Sequence, residues 1–332
     1  MKNTTLKDLS KLLNLSVSTI SKALNDSLEI SDITKNRVRE AARKTNYRPN
    51  PLALSLKKGK SKTIGVVIPS VLNRFSAKLF IGIENIAYSK GYNAILSTSN
   101  YSKEREAHNI DILIEKGVDG IIVSLTDETL TLGNYSHIEK ARNRGISVVL
   151  VNKVPEDLPF NKVSVDHYKE AYNAVSNLTL AHQNNVLVVE SFSNAMYVGK
   201  RKGGILDALQ KEHNIEKYSV VKSNGEESFA SDVIKRVKKD HVTILIVMNQ
   251  YLLETILMSK NTQKMLSKGE LFIYAFSIRK SAFEAVKGVN PISPRGKFLG
   301  EKSAELLIDQ LEDYKEGMHA ISVDSIRKKI YE

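Results

Sequence analysis

The residues whose types and spacing most plainly fit a chemical task lie between Ser16 and Asn25, in the run SVSTISKALN. If Val17–Leu24 is helical, Val17, Ile20 and Leu24 point inward at three- to four-residue spacing. Ser18, Thr19, Ser21 and Lys22 are then left on the outer face. Short hydroxyls and one cation donate and accept hydrogen bonds without bulk, which suits base edges in a DNA major groove. Ser16 is placed as the N-cap.

The segment before it must position that helix. In TLKDLSKLL, Thr5 and Asp8 have the spacing of a capping box, and Leu6, Leu9, Leu12 and Leu13 share a helical face. Asn14 and Leu15 make a turn, since Asn tolerates the left-handed conformation that ends many helices. Any small helical hairpin would share this pattern, but the charge singles this one out. Residues 1–62 carry 14 Lys and Arg against 5 Asp and Glu, so most of the net +12 sits in the first fifth of the chain. A basic segment on a nearly neutral body is the electrostatic footprint of a nucleic-acid reader.

A third helix follows, capped by Ser31, with Ile33, Val38, Ala41 and Ala42 as its apolar stripe and Lys35, Arg37, Arg39, Arg43 and Lys44 on its exposed face. Pro49 and Pro51 end it. Asn50 can cap a short further helix with Pro51 at its first position, and Leu52, Ala53 and Leu56 share a face. A basic linker closes the segment at Lys62.

The stretches TLKDLSKLLNLSVSTISKALN and VREAARKTNYRPNPLALSLKKGKSKTIGVVIP together resemble the LacI/GalR family of bacterial transcription regulators. The resemblance is continuous over about the first 125 residues and looser beyond. It implies a helix-turn-helix head (1–47), a hinge helix and linker (48–62) and a core resembling periplasmic binding proteins (63–332). Val17, Ser18 and Lys22 match positions at which the family reads bases. Thr5, Ser16, Ser21 and Asn25 match positions that touch phosphates, and Tyr47 belongs to the family's DNA-binding segment. Asn50, Ala53 and Leu56 fall on the hinge helix, Leu56 at the leucine that wedges open the central base step from the minor groove. Two residues depart from the family. Lys22 replaces a common arginine and lacks its bidentate fork, and Leu54 replaces a basic hinge residue.

From Thr63 the period changes. TIGVVIP, NAILSTS, VDGIIVSL and SVVLVN alternate with helical stretches, and a second set begins near Lys162 with KVSVD and continues through NNVLVVE, YSVVK, VTILIV and LFIYAF. Near-continuous apolar strands separated by helices predict an α/β core of two lobes with doubly wound parallel sheets. The expected lobes are 63–159 with 290–318, and 160–289 with 319–332; the crossing back is implied by the family.

Ligands of such sheets bind beyond the carboxyl ends of the strands. That rule nominates Phe75 to stack on a flat ligand and Ser124, Asn249 and Gln250 to bond its hydroxyls. By resemblance, Arg201 matches an arginine that meets the effector and Asp166 the acid of a Val-Asp segment; Phe276 lies at the end of a strand. Two acids usual in the family are absent, at Gln250 and around Ser277. With Lys153 and Arg201 retained, this favours an anionic carbohydrate effector.

The chain has no cysteine, which excludes disulfides and thiol catalysis. No nucleotide-binding loop, HExxH or GxSxG motif occurs, and no two His stand at i, i+4. Asp166-His167 and Asp240-His241 read as solvated pairs. The start of the chain has no signal-peptide pattern, and no apolar run approaches membrane-spanning length. The expected protein is a cytoplasmic, homodimeric repressor without a cofactor, binding double-stranded operator DNA and answering to a small carbohydrate-like effector. The alternative is a solute-binding protein of a transport system.

Overall fold

The computed structural model describes residues 4–47, 59–155, 157–181, 184–190, 196–215, 217–222, 229–248, 250–276, 286–292, 295–313 and 320–323. The chain divides into two compact units, 1–62 and 63–332.

In the first unit α1 (Leu6–Leu13), α2 (Val17–Leu24) and α3 (Asp32–Lys44) enclose Leu9, Leu13, Ile20, Ala23, Val38, Ala41 and Ala42. The capping box is formed: the Thr5 hydroxyl accepts from the Asp8 amide while the Asp8 carboxylate accepts from the Thr5 amide. Asn14 takes the left-handed conformation at φ 53°, turning the chain into α2. The Ser16 hydroxyl accepts from the Thr19 amide, and Ser31 does the same for Thr34 at the start of α3.

Four positions depart from the sequence expectation. Leu12 and Ile33 are exposed rather than inward, Val17 is 39% exposed, and Lys35 is buried. On α3 the buried stripe runs through Lys35, Val38 and Ala41–Ala42, so its phase is set by where α1 and α2 press rather than by the position of the isoleucine. The Lys35 stem lies in the core while its ammonium reaches Asp26 at 3.3 Å and Asp32 at 3.6 Å.

The second unit holds two parallel sheets. The first contains β1 (Thr63–Ile68), β2 (Asn93–Thr98), β3 (Gly120–Val123), β4 (Ser147–Asn152), β5 (Asn161–Val165) and β11 (Ala320–Val323), in the order β11-β5-β4-β3-β1-β2. The second contains β6 (Val186–Glu190), β7 (Tyr218–Lys222), β8 (Ile244–Val247), β9 (Phe272–Phe276) and β10 (Val289–Ile292), in the order β10-β9-β8-β6-β7. Both are doubly wound, with the strand order reversing beside β1 in one and beside β6 in the other.

Sheet membership corrects the expected lobe limits. Strand β5, expected to open the second lobe, pairs with β4 (Leu150↔Lys162), and β11, expected in the second lobe, pairs with β5 (Ile321↔Val163). Conversely β10, expected in the first lobe, pairs with β9. The helix Gly296–Asp313 packs in the first lobe as expected.

Six helices matter for the site: α4 (Arg74–Ser89), α5 (Lys103–Glu115), α6 (Asp127–Leu132) and α7 (Ser136–Asn143) in the first lobe, and α8 (His167–Ser176) and α9 (Met196–Lys211) in the second. The pair α8–α9 touches backbone to backbone. A Cβ on Gly204 would lie 2.2 Å from the Tyr168 carbonyl oxygen, so only glycine permits this approach.

Candidate nucleic-acid interface and effector cleft

On the head, Ser16, Val17, Ser18 and Lys22 are exposed along one side of α2, and Ser21 is half-buried. The Ser16 hydroxyl lies 2.7 Å from that of Ser18 and 2.8 Å from that of Thr19, forming a small hydroxyl cluster at the helix start. Lys22 forms an ion pair with Glu29 in the loop before α3. Asn25 is exposed and folds its amide back onto the Ser21 carbonyl at 2.8 Å. Thr5 is exposed at its cap. Tyr47 packs against the head core, and burial pushes its phenol up from the ordinary value. Asn50, Ala53 and Leu56 lie outside the described residues. This surface joins a helix N-terminus, clustered hydroxyls and exposed cations, the donors that phosphate and base edges accept from.

In the second unit the strand ends converge as the doubly wound rule requires, but on residues only partly anticipated. Arg201, on α9, is buried. Its guanidinium donates to Glu170 Oε2 at 3.2 Å, approaches His167 Nδ1 at 3.4 Å and lies 4.7 Å from the Phe276 ring centroid. His167 is buried, so it is not the solvated member of an Asp–His pair that the sequence suggested; its ring packs on Tyr197 at 5.5 Å. Burial pushes the imidazole pKa down, and nearby Arg201 and Lys153 push the same way, against the opposing pull of Glu170. Burial raises the Glu170 carboxyl, but His167 and Arg201 outweigh it and hold it below the usual range. Arg201 Nε and His167 Nε2 are buried without a hydrogen-bond partner among the described residues.

Lys153, just past β4, donates to Asp127 at 2.8 Å and to the Tyr197 hydroxyl at 2.8 Å. Of the other nominated residues, Ser124 is buried just past the end of β3, its amide donating to the Val67 carbonyl at 2.9 Å. Phe75, in the first turn of α4, packs against the first-lobe core. Asp166 is the N-cap of α8, its carboxylate accepting from the Tyr168 and Lys169 amides at 3.1 and 3.0 Å. Asn249 lies outside the described residues, and nothing is described of the Gln250 side chain. Thus the structure joins Arg201 with Phe276 and leaves Phe75 and Asp166 in supporting positions. Sequence reasoning missed Glu170 and Tyr197. The signal for Glu170 was a polar i, i+3 pair with His167 on an otherwise ordinary helix; Tyr197 had none.

Two family models match: the periplasmic binding protein domain over residues 64–312, and the bacterial regulatory proteins of the lacI family over residues 5–50. The chain belongs to the periplasmic binding protein domain family, with a head segment that matches the lacI family. Among its relatives, catabolite control protein A of Priestia megaterium is 32% identical over 208 residues, covering 62% of this chain and 61% of that protein. The transcriptional regulator RegA of Clostridium acetobutylicum is 35% identical over 178 residues, covering 52% of this chain and 51% of the relative. The match therefore spans somewhat over half the length of these relatives. The fold is shared over nearly the whole chain with a solved structure, a Lac repressor dimer bound to operator and the anti-inducer ONPF, which superposes with a TM-score of 0.72 at 17% identity, covering 97% of each chain.

Proposed function

We propose that the chain is a sequence-specific, DNA-binding transcription repressor that acts as a homodimer and is controlled by a carbohydrate-like effector in the cleft between its lobes. The observation that carries this reading is the capped helix-turn-helix, whose second helix turns Val17, Ser18 and Lys22 outward on the basic head. Val17, Ser18 and Lys22 read bases. Thr5, Ser16, Ser21 and Asn25 face phosphates, with Tyr47 supporting them, while Asn50, Ala53 and Leu56 act from the hinge in the minor groove. The protein works in the cytoplasm and catalyses no reaction. A transport role is disfavoured because a solute-binding protein has no use for the basic head.

The chemistry of the cleft revises the expected effector. Lys153 and Arg201, the basis for an anionic ligand, are already paired with Asp127 and Glu170. Among the described residues both of these cations are thus neutralised by a carboxylate, which favours a neutral polyhydroxyl compound. Calorimetric titration with neutral and anionic carbohydrates separates the two, and tight binding of only the anionic set would point to an anionic effector instead.

Selection of bound sequences from a random DNA pool by the purified protein tests the function. A two-fold symmetric site is expected, with a central pyrimidine–purine step for the Leu56 wedge. Failure to enrich any site, with and without a metabolite extract, would overturn the DNA-reading assignment.

A further inference from the structure

We propose that Lys153 is a latch between the lobes: its ammonium, anchored in the first lobe on Asp127, reaches across to Tyr197 of the second. The inference rests on reading this cleft as the regulated site, and goes beyond it by naming a side-chain contact that holds the lobes against each other.

Both ends of the latch are planted on rigid ground. On the first-lobe side, Asp127 opens α6, whose N-cap is Thr126. The Thr126 amide is held by fully buried Glu106 at 2.7 Å, and Glu106 also accepts from the Thr129 hydroxyl at 2.8 Å and lies 2.8 Å from His137 Nε2. A buried carboxylate satisfied by three partners fixes the loop that presents Asp127. On the second-lobe side, Tyr197 rides on α9, which Gly204 locks against α8, and its ring leans on buried His167.

The contact itself is of the kind that matters energetically. The Lys153 side chain is 26% exposed, donates to both a carboxylate and a phenol, and lies 4.1 Å from the Tyr197 ring centroid. A partly desolvated cation between a carboxylate and an aromatic face is bound more firmly than a surface pair. Burial disfavours the charge, but Tyr197 and Asp127 outweigh it and raise the pKa above the ordinary lysine value, so the ammonium persists across the physiological range. An entering ligand must therefore displace the ammonium or satisfy Asp127 and Tyr197 in its place. The latch thereby makes one lobe arrangement the resting one and sets part of the free-energy difference that a ligand has to overcome.

The test uses the full chain, whose lack of cysteine permits paired spin labels at Arg144→Cys in the first lobe and Lys239→Cys in the second, both exposed sites. Labelled chains are diluted into an excess of unlabelled protein so that distances within one chain dominate. Without any ligand, the parent is expected to give one narrow distance distribution. Lys153→Met should add a longer-distance population, and Tyr197→Phe, which keeps the ring but loses the hydroxyl, should give a smaller fraction of it. Unchanged distributions in both variants, each folded by circular dichroism, would overturn the latch. Affinity for the selected operator is measured in parallel. Lobe separation with unchanged DNA affinity would uphold the latch and refute control of the head by the cleft; if no operator is found, the spin distances still decide the latch.

Discussion

At the residue scale, Lys22, proposed above to read bases, is already engaged within the head. Its ammonium pairs with Glu29 from the loop before α3. Both groups are substantially exposed, so the pair is weak in stability terms, but if this surface meets DNA as proposed, a carboxylate on it opposes binding to any sequence. Glu29→Gln is expected to raise affinity for random-sequence DNA several-fold and steepen the salt dependence by about one unit of slope. The gain for the selected operator should be smaller, so specificity falls; filter binding at several salt concentrations reads all three. His167 supplies a second residue-level expectation. Its folded pKa lies below the ordinary value of 6.5, so the native state binds the proton later than the unfolded chain as pH falls. Stability is unaffected well above the ordinary value and declines as pH drops through it. Between about pH 7.5 and about pH 5.5, melting temperature should fall less in His167→Gln than in the parent, by differential scanning calorimetry.

At the scale of elements, the caps were legible in the sequence because they are local. Thr5 with Asp8, Asn14 at its left-handed turn, and Ser16 and Ser31 each act within three or four residues of their own position. The phase of α3 was not legible. Its sequence offers Ile33 as an inward residue, yet the buried position is Lys35, whose charge finds Asp26 and Asp32. The helix pair α8–α9 carries a sharper expectation. Gly204→Ala places a methyl group against the Tyr168 carbonyl, and overpacking of this kind costs about 1–3 kcal/mol. Because α8 carries His167 and Glu170 while α9 carries Tyr197 and Arg201, the same substitution should weaken effector binding together with the drop in melting temperature. Thermal melts with and without an identified effector test this.

At the scale of the whole molecule, the first lobe leaves Ile81 and Tyr88 of α4, Ile95 of β2 and Ile112 of α5 exposed, Tyr88 by 80%. Large apolar groups gathered on neighbouring elements of one lobe suit a subunit contact. Tyr88→Asp is expected to shift the protein toward monomer in sedimentation equilibrium and to weaken operator binding far more than binding of a single half-site. The sequence by itself determined the basic head, the capped hairpin, the alternation of apolar strands with helices and the absence of thiol chemistry, since each depends on composition or on spacing within one element. Only the tertiary structure decided which sheet β5, β10 and β11 join, because a short apolar strand looks the same at either sheet edge. It alone also decided that Asp166 caps a helix, that Lys153 and Arg201 arrive already paired with Asp127 and Glu170, and that Lys153 reaches Tyr197. Those partners are separated by 26, 31 and 44 residues in the chain, and sequence spacing constrains side-chain contact only over a few residues along one helix or strand.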